Sequence, residues 1–331
     1  MSGLSYEKKN ILHRVKVEGC IRCPNSEQRK KHQDQYGYCT YAKTTDGLGA
    51  RCVGGWGANK AVFLKYYVDI TGKALKSSWE NIYYIEICSG PGICVDYNEG
   101  EQFDGTALAV LQTEGAKYFS KLFFFDINPI TIEILKQRIA NSPNICEEVK
   151  QKVIVSVGDY KKPNSILNVL YANIPSNVRG LNVVFVDPTD LSVPFKLYDS
   201  LLNFGNTADF ITNYAYGTDF QRNVVSAFKK PKSPSRKKYE GTLQELGFFE
   251  DEVNRLDAEH NNFRELAKEH KKQFLKSFED RGYKFVITTR IKWYYELIYI
   301  SKNPLGRKFW EEASKKSARE REVGQKTLSF D

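Results

Sequence analysis

Residues 81–92 read NIYYIEICSGPG: an apolar, aromatic-rich run that carries an acidic residue, Glu86, near its end and passes into the turn Gly90-Pro91-Gly92. A continuous apolar run of this length, bounded by turn residues, suits a strand buried on both faces. Two glycines directly after it allow a sharp turn and let backbone N–H groups approach a ligand closely. The pattern is acidic-x-x-x-Gly-x-Gly.

Working outward, similar runs recur at 121–127 (KLFFFDI), 152–157 (KVIVSV), 181–187 (LNVVFVD) and 208–214 (ADFITNY). Helical patterns separate them at 105–119, 129–140, 163–174 and 195–204. Short apolar strands with helical crossovers predict an α/β fold with a parallel sheet covered on both faces. The last two runs, 283–290 (YKFVITTR) and 294–301 (YYELIYIS), have only IKW between them. That is too short for a parallel crossover, so they form an antiparallel edge hairpin.

Before the first strand, Val62, Phe63, Tyr66, Tyr67 and Ile70 recur at helical spacing, and Gly72 is expected to end that helix. The segment 1–55 lacks such periodicity and reads as an appended module, with 56–331 as the main domain. A helical insertion at about 216–281 precedes the final hairpin. It opens with KKPKSPSRKK (229–238), six basic residues and two prolines in ten, expected as a loop.

The chain of 331 residues is 41% hydrophobic, enough for a full core, and carries a net charge of +9, which favours an anionic partner such as nucleic acid. Solubility alone is the other use of such charge. With no apolar run near the roughly 18 residues that span a bilayer and no secretory signal, the expectation is a cytoplasmic protein without a membrane partner.

In open parallel sheets ligands bind beyond the carboxyl ends of the strands. Candidate residues stand at four successive strand ends: Glu86, Gly90, Pro91 and Gly92; then Asp126 and Ile127, where an acid suits ribose hydroxyls; then Gly158 and Asp159, within reach of an adenine amino group; then Asp187 in Asp187-Pro188-Thr189-Asp190. Each acid taken alone also suits a helix cap or turn. A dinucleotide fingerprint requires a third glycine three residues on, and Val95 stands there, which disfavours NAD or FAD. The shorter turn, the ribose acid and the Gly-Asp pair resemble the S-adenosylmethionine site of class I methyltransferases. Asp187 is the candidate for orienting a nucleophile, with Asp190 and Tyr160 as further choices.

YYIEICSGPGIC, LFFFDINP, VVFVDPTDLSVPFKLYDSLL, ADFITNY and SKNPLGRKFWEEAS also resemble the three-Cys-motif partner family (TcmP), over about residues 56–314. That resemblance implies a Rossmann-like methyltransferase fold, a cofactor pocket around Glu86, Gly90, Gly92 and Asp126, and a neighbouring three-cysteine protein that looks related to radical S-adenosylmethionine enzymes. Two departures stand out. Cys88-Ser89 precedes Gly90 where the family has Phe-Ala, and Asp187-Pro188-Thr189-Asp190 lacks the second proline and stacking ring of base amino-methyltransferases.

Four of the seven cysteines, Cys20, Cys23, Cys39 and Cys52, lie in the first segment. The C-x2-C pair suits one tetrahedral ion, so zinc is expected on these four, with His32 or His13 as a substitute ligand and an iron–sulfur cluster as the alternative. Cys88, Cys94 and Cys146 read as ordinary buried residues. The rings of KWYYE (292–296) suit either base stacking or packing on the sheet edge.

Overall fold

The computed structural model describes residues 12, 14–23, 25–175, 179–188, 190–205, 207–215, 234–247, 251, 263–292 and 295–324. In chain order, β1 (Val15–Lys16), α1 (Ser26–Lys31) and β2 (Arg51–Val53) precede the long helix α2 (Trp56–Leu75). β3 (Asn81–Ile87) leads through the glycine turn into β4 (Ile93–Asp96), β5 (Glu101–Asp104) and α3 (Thr106–Leu111). Strand and helix then alternate through β6 (Lys121–Asp126), α4 (Pro129–Asn141), α5 (Glu147–Lys150), β7 (Val153–Val157), α6 (Asn164–Asn173), β8 (Gly180–Val186), α7 (Phe195–Leu202) and β9 (Thr207–Tyr214). The insertion supplies α8 (Pro234–Glu245) and α9 (Phe263–Glu279), and the chain closes with β10 (Phe285–Lys292), β11 (Tyr295–Ser301) and α10 (Leu305–Gly324).

The architecture is mixed α/β with a mostly parallel central sheet of seven strands, in the order β10-β11-β9-β8-β3-β6-β7. β3, β6, β7, β8 and β9 run parallel, while β11 is antiparallel to both β9 and β10. Alternate residues feed two separate cores. Tyr83, Ile85, Phe123, Phe125 and Val184 face α6 to α9, and Tyr84, Leu122, Phe124, Val183 and Phe185 face α2, α3, α4 and α10. Each fully buried ring among them contributes roughly 2–3 kcal/mol of transfer free energy, so these strands are apolar at every position rather than at every second one.

After β3 the chain crosses to β6 and β7 on one side, and β8 returns on the other. The strand order therefore reverses between β3 and β8. A crevice at such a switch point is where an open sheet binds ligands.

Several expectations are corrected. Gly72 does not end α2 but lies inside it, because the helix there passes the 3-10 turn Gly115–Tyr118 so closely that a Cβ would sit 2.2 Å from the Gly115 carbonyl oxygen. Residues 93–104, which belong to none of the runs quoted above, form the β4–β5 hairpin, which pairs with the N-terminal strands in a second sheet of order β1-β5-β4-β2. Residues 15–53 thus share a sheet with residues 93–104. Of the basic stretch 229–238, residues 229–233 lie outside the described residues, and Pro234 onward is the start of α8, where proline suits the first helical position. Cys146 is exposed, since Ile145 takes the buried site before α5.

Trp293 and Tyr294 lie outside the described residues, and Tyr295 stacks on Trp56 with ring centroids 4.2 Å apart. Among the described residues no helix is long and apolar enough to cross a membrane.

Candidate cofactor and acceptor site

The turn after β3 holds three left-handed residues at alternate positions: Cys88 (φ 68°), Gly90 (φ 67°) and Gly92 (φ 89°). Sequence reading marked the two glycines and missed Cys88, whose conformation costs a non-glycine residue on the order of 1–2 kcal/mol. The glycines differ in use. A Cβ at Gly92 would press on Leu108 and Leu135, whereas a Cβ at Gly90 would meet nothing within 4 Å. Gly90 therefore faces open space.

Asp126 ends β6 and is tied to that turn. Its Oδ2 accepts the Gly90 N–H at 3.2 Å and its Oδ1 accepts the Asn128 N–H at 3.0 Å. Its backbone carbonyl accepts the Gly158 N–H at 3.0 Å. Ile127, next along, is 56% exposed, so a large apolar side chain stands at the rim. Asp159 spends its polar groups locally, its carboxylate on the Lys161 N–H and its own N–H on Ser165 Oγ.

Glu86 lies beneath the turn, fully buried, where Thr106 and Tyr84 donate to its two oxygens. Burial pushes its carboxyl up to about 8, against the pull of those two hydrogen bonds. A carboxyl that ionises less readily when folded contributes stability that is complete at low pH and is lost as pH rises toward 8. Other buried groups shift as well, His270 lowered by burial to about 3 and Asp209 raised by burial to about 6, and their contributions cancel when the wild type is compared with a variant at Glu86 alone. Between pH 6.5 and 8, the unfolding free energy of the wild type relative to Glu86→Gln should fall by roughly 1.5 kcal/mol. Urea titrations at several pH values check this, and a flat difference would mean that Glu86 is ionised in the folded state.

Across the crevice, Asp187 follows β8 and is held by Lys60 and Asn213. Lys60 Nζ donates to both carboxylate oxygens at 2.5 Å, and Asn213 Nδ2 donates to Oδ1 at 2.8 Å. The side chains of Lys60 and Asp187 are only 10% and 13% exposed. Lys60 Nζ also lies 5.3 Å from the Trp56 ring centroid. Sequence reading missed Lys60, although a lysine on the stripe 56-60-63-67, one apolar face of α2, was the available signal. Thr189 lies outside the described residues.

Asp190 accepts hydrogen bonds from Lys238 and from the Ser192 N–H. Burial alone would raise its carboxyl, but these partners outweigh it and hold it below the ordinary range. Tyr160 meets the same serine, OH to Oγ at 2.9 Å, and burial pushes its hydroxyl up to about 12. Asp190 and Tyr160 are thus joined through Ser192, and Asp187 belongs to a different network.

The N-terminal segment leans on the turn. Arg51, on β2, lies 3.8 Å from Asp126, and Tyr38 hydrogen-bonds Thr131 of α4. Arg138 of α4 is nearly inaccessible and binds the Asp46 carboxylate together with the carbonyls of Leu48, Gly49 and Pro91. One guanidinium joins the loop 46–49 to the glycine turn.

The metal expectation is not supported. Among the described residues no group of three or more His, Cys, Asp or Glu side chains is placed to hold a metal ion, and all seven cysteines are free thiols. The sulfurs are engaged otherwise. Cys23 Sγ pairs with His32 Nδ1 at 3.1 Å, and Cys39 Sγ accepts the Ala42 N–H at 3.3 Å. A hydrogen bond from Cys52 lowers Cys39 to about 5 and raises Cys52 in turn. His13 lies outside the described residues.

No protein-family model and no curated protein sequence matches the chain. Among solved structures it is similar to protein LPL1258 of Legionella pneumophila, assigned to family model DUF519, at 13% identity and TM-score 0.42, covering 78% of this chain and 91% of that one. It is similar to human methyltransferase-like protein 13, solved with S-adenosylhomocysteine, at 12% identity and TM-score 0.38, covering 83% and 95%. It is also similar to the O-methyltransferase TomG of Streptomyces achromogenes, solved with S-adenosylmethionine, at 13% identity and TM-score 0.37, covering 71% and 79%. These overlaps are partial, and the functional reading rests on strand order and site geometry instead.

Proposed function

We propose that this chain is an S-adenosylmethionine-dependent methyltransferase of the class I type, acting on a nucleic acid or nucleotide-like acceptor. The observation that carries the reading is Gly90, left-handed, open to the crevice at the switch point and hydrogen-bonded to the acid that ends the neighbouring strand. The residues fit such a cofactor: an approachable backbone turn lies beside a carboxylate with lone pairs left for ribose hydroxyls. Bound there, the cofactor supplies a methyl group on a sulfonium, whose transfer is an in-line displacement.

The chain's own residues hold and orient. Gly90 seats the amino-acid end and Asp126 the ribose, Ile127 covers one side of the base, and Asp187, fixed by Lys60 and Asn213, orients the acceptor. The net charge of +9 supports an anionic acceptor. The quoted motifs and their order along the chain support membership of the three-Cys-motif partner family and work alongside a three-cysteine protein.

A second reading, a binding or accessory subunit that keeps the fold without catalysis, is favoured by the engagement of both Asp187 oxygens by one ammonium.

Isothermal titration with S-adenosylmethionine and S-adenosylhomocysteine tests the choice. Micromolar binding is expected, weakened at least tenfold by Gly90→Arg, whose side chain would fill the open space beside the turn. No heat and no thermal shift for either ligand would overturn the methyltransferase reading and leave the binding module.

A further inference from the structure

Cations and rings from separate parts of the chain form one row that ends at Asp187. At its outer end Arg29, in the last turn of α1, sets its guanidinium 4.1 Å from the centroid of the Tyr97 ring, in the turn between β4 and β5. Arg22 reaches the same turn, where a Cβ at Gly100 would lie 4.0 Å from its Nε. Tyr97 and Trp56 then converge on Gly54, which is buried: a Cβ there would lie 2.9 Å from the Tyr97 hydroxyl and 2.7 Å from the Trp56 indole. Only a residue without a side chain lets both rings close on that point. Trp56 is stacked on Tyr295, and Lys60, which holds Asp187, lies beside the same indole.

The outer cations of this row are not neutralised by acids. Arg14 and Lys16 are paired with Glu101, but Arg22, Arg29 and Lys30 have no carboxylate partner among the described residues. Arg29 is fixed instead by the Tyr97 ring and by the Cys23 carbonyl, to which its Nη1 donates at 3.1 Å. A guanidinium held in this way keeps its full charge for a phosphate. Arg22 and Lys30 are exposed, and Arg29, Tyr97 and Trp56 are each partly so. Surfaces that bind single-stranded nucleic acid combine these two elements, cations that track the backbone and rings on which bases stack. A duplex keeps its bases stacked on one another and leaves such rings without a partner.

We infer that a single-stranded nucleic acid crosses the N-terminal segment along this row, with its phosphates at Arg22 and Arg29 and its bases against Tyr97 and Trp56, and brings its reacting nucleotide to Asp187. The last step rests on the methyltransferase reading. The binding surface itself stands without it.

The test uses the full chain and fluorescence anisotropy with two probes, a labelled RNA single strand of about 12 nucleotides and the duplex of the same sequence. The single strand should bind roughly tenfold more tightly than the duplex. Arg22→Gln combined with Arg29→Gln should weaken the single strand roughly tenfold and flatten its salt dependence by about 1.4 in log–log slope, the amount for two lost phosphate contacts. The affinity for S-adenosylhomocysteine, titrated on the same samples, should stay within about twofold in that variant, because neither arginine touches the glycine turn. Tyr97→Ala should also weaken the single strand roughly tenfold, and Tyr97→Phe, which keeps the ring, should restore it. If Tyr97→Ala does not fold, the arginine variant and the comparison of the two probes decide. Equal affinity for strand and duplex, binding indifferent to the two arginines, or no binding of either probe would overturn the inference. S-adenosylhomocysteine binding without a strand preference sinks this surface alone. Strand binding that depends on the arginines, with no S-adenosylhomocysteine binding, sinks the methyltransferase reading and leaves the surface.

Discussion

Replacing Lys60 with methionine is expected to lower the unfolding free energy by about 3–5 kcal/mol, the usual result of removing one partner from a buried ion pair. Asp187 would be left with Asn213 Nδ2 as its side-chain donor, in a position only 13% exposed. A carboxylate in that position either bears its desolvation or takes up a proton. Most of the loss is therefore the cost of the carboxylate left behind without its partner. Lys60→Met combined with Asp187→Asn should recover most of it, because no uncompensated charge remains and the methionine keeps the contact with Trp56. Chemical denaturation of the two single variants and the double variant checks this as a cycle. Additive losses would show that the pair is not coupled, and Asp187 would then need another source of orientation.

Arg138→Ala is the second large effect, again about 3–5 kcal/mol. The guanidinium is 2% exposed and serves one carboxylate and three carbonyls at once. Its removal leaves those carbonyls without the donor they share, including that of Pro91 in the glycine turn. Lysine offers a point charge in place of a planar fork and should restore only part of the stability. The effect should not stay local. Amide exchange across residues 14–53 should accelerate, and affinity for S-adenosylhomocysteine should fall with it, because the same group steadies the turn. Loss of stability with unchanged exchange in that segment would mean that the segment is held by its strand pairing alone.

The central sheet was legible because every strand carries its own signal, a short apolar run with turn residues after it. Helix-length crossovers between those runs made the sheet parallel, and the short IKW link marked the antiparallel edge. What lay hidden depends on residues far apart in sequence. Nothing local in Val15–Lys16 or Arg51–Val53 announces partners at residues 93–104, and nothing in Asp46 announces Arg138. Lys60 was legible in principle, as a charge on an apolar stripe, but amphipathic spacing drew attention away from it. For the cysteines, C-x2-C is a local pattern, whereas the contact between the Cys39 and Cys52 thiols, far apart along the segment, comes from the fold. The acids at the strand ends were read as one row facing one crevice. They divide into a buried carboxyl beneath the turn, a brace between strands, and two separate lysine-anchored networks.

The β4–β5 hairpin bears on any attempt to shorten the protein. Its outer edges are covered by β1 on one side and β2 on the other, so cutting the chain at residue 55 would uncover both. The remnant would carry two unpaired rows of N–H and C=O groups directly after the glycine turn, the geometry that recruits strands from other molecules. A shortened protein is therefore expected to self-associate, and β1 and β2 act as a sheath against that association.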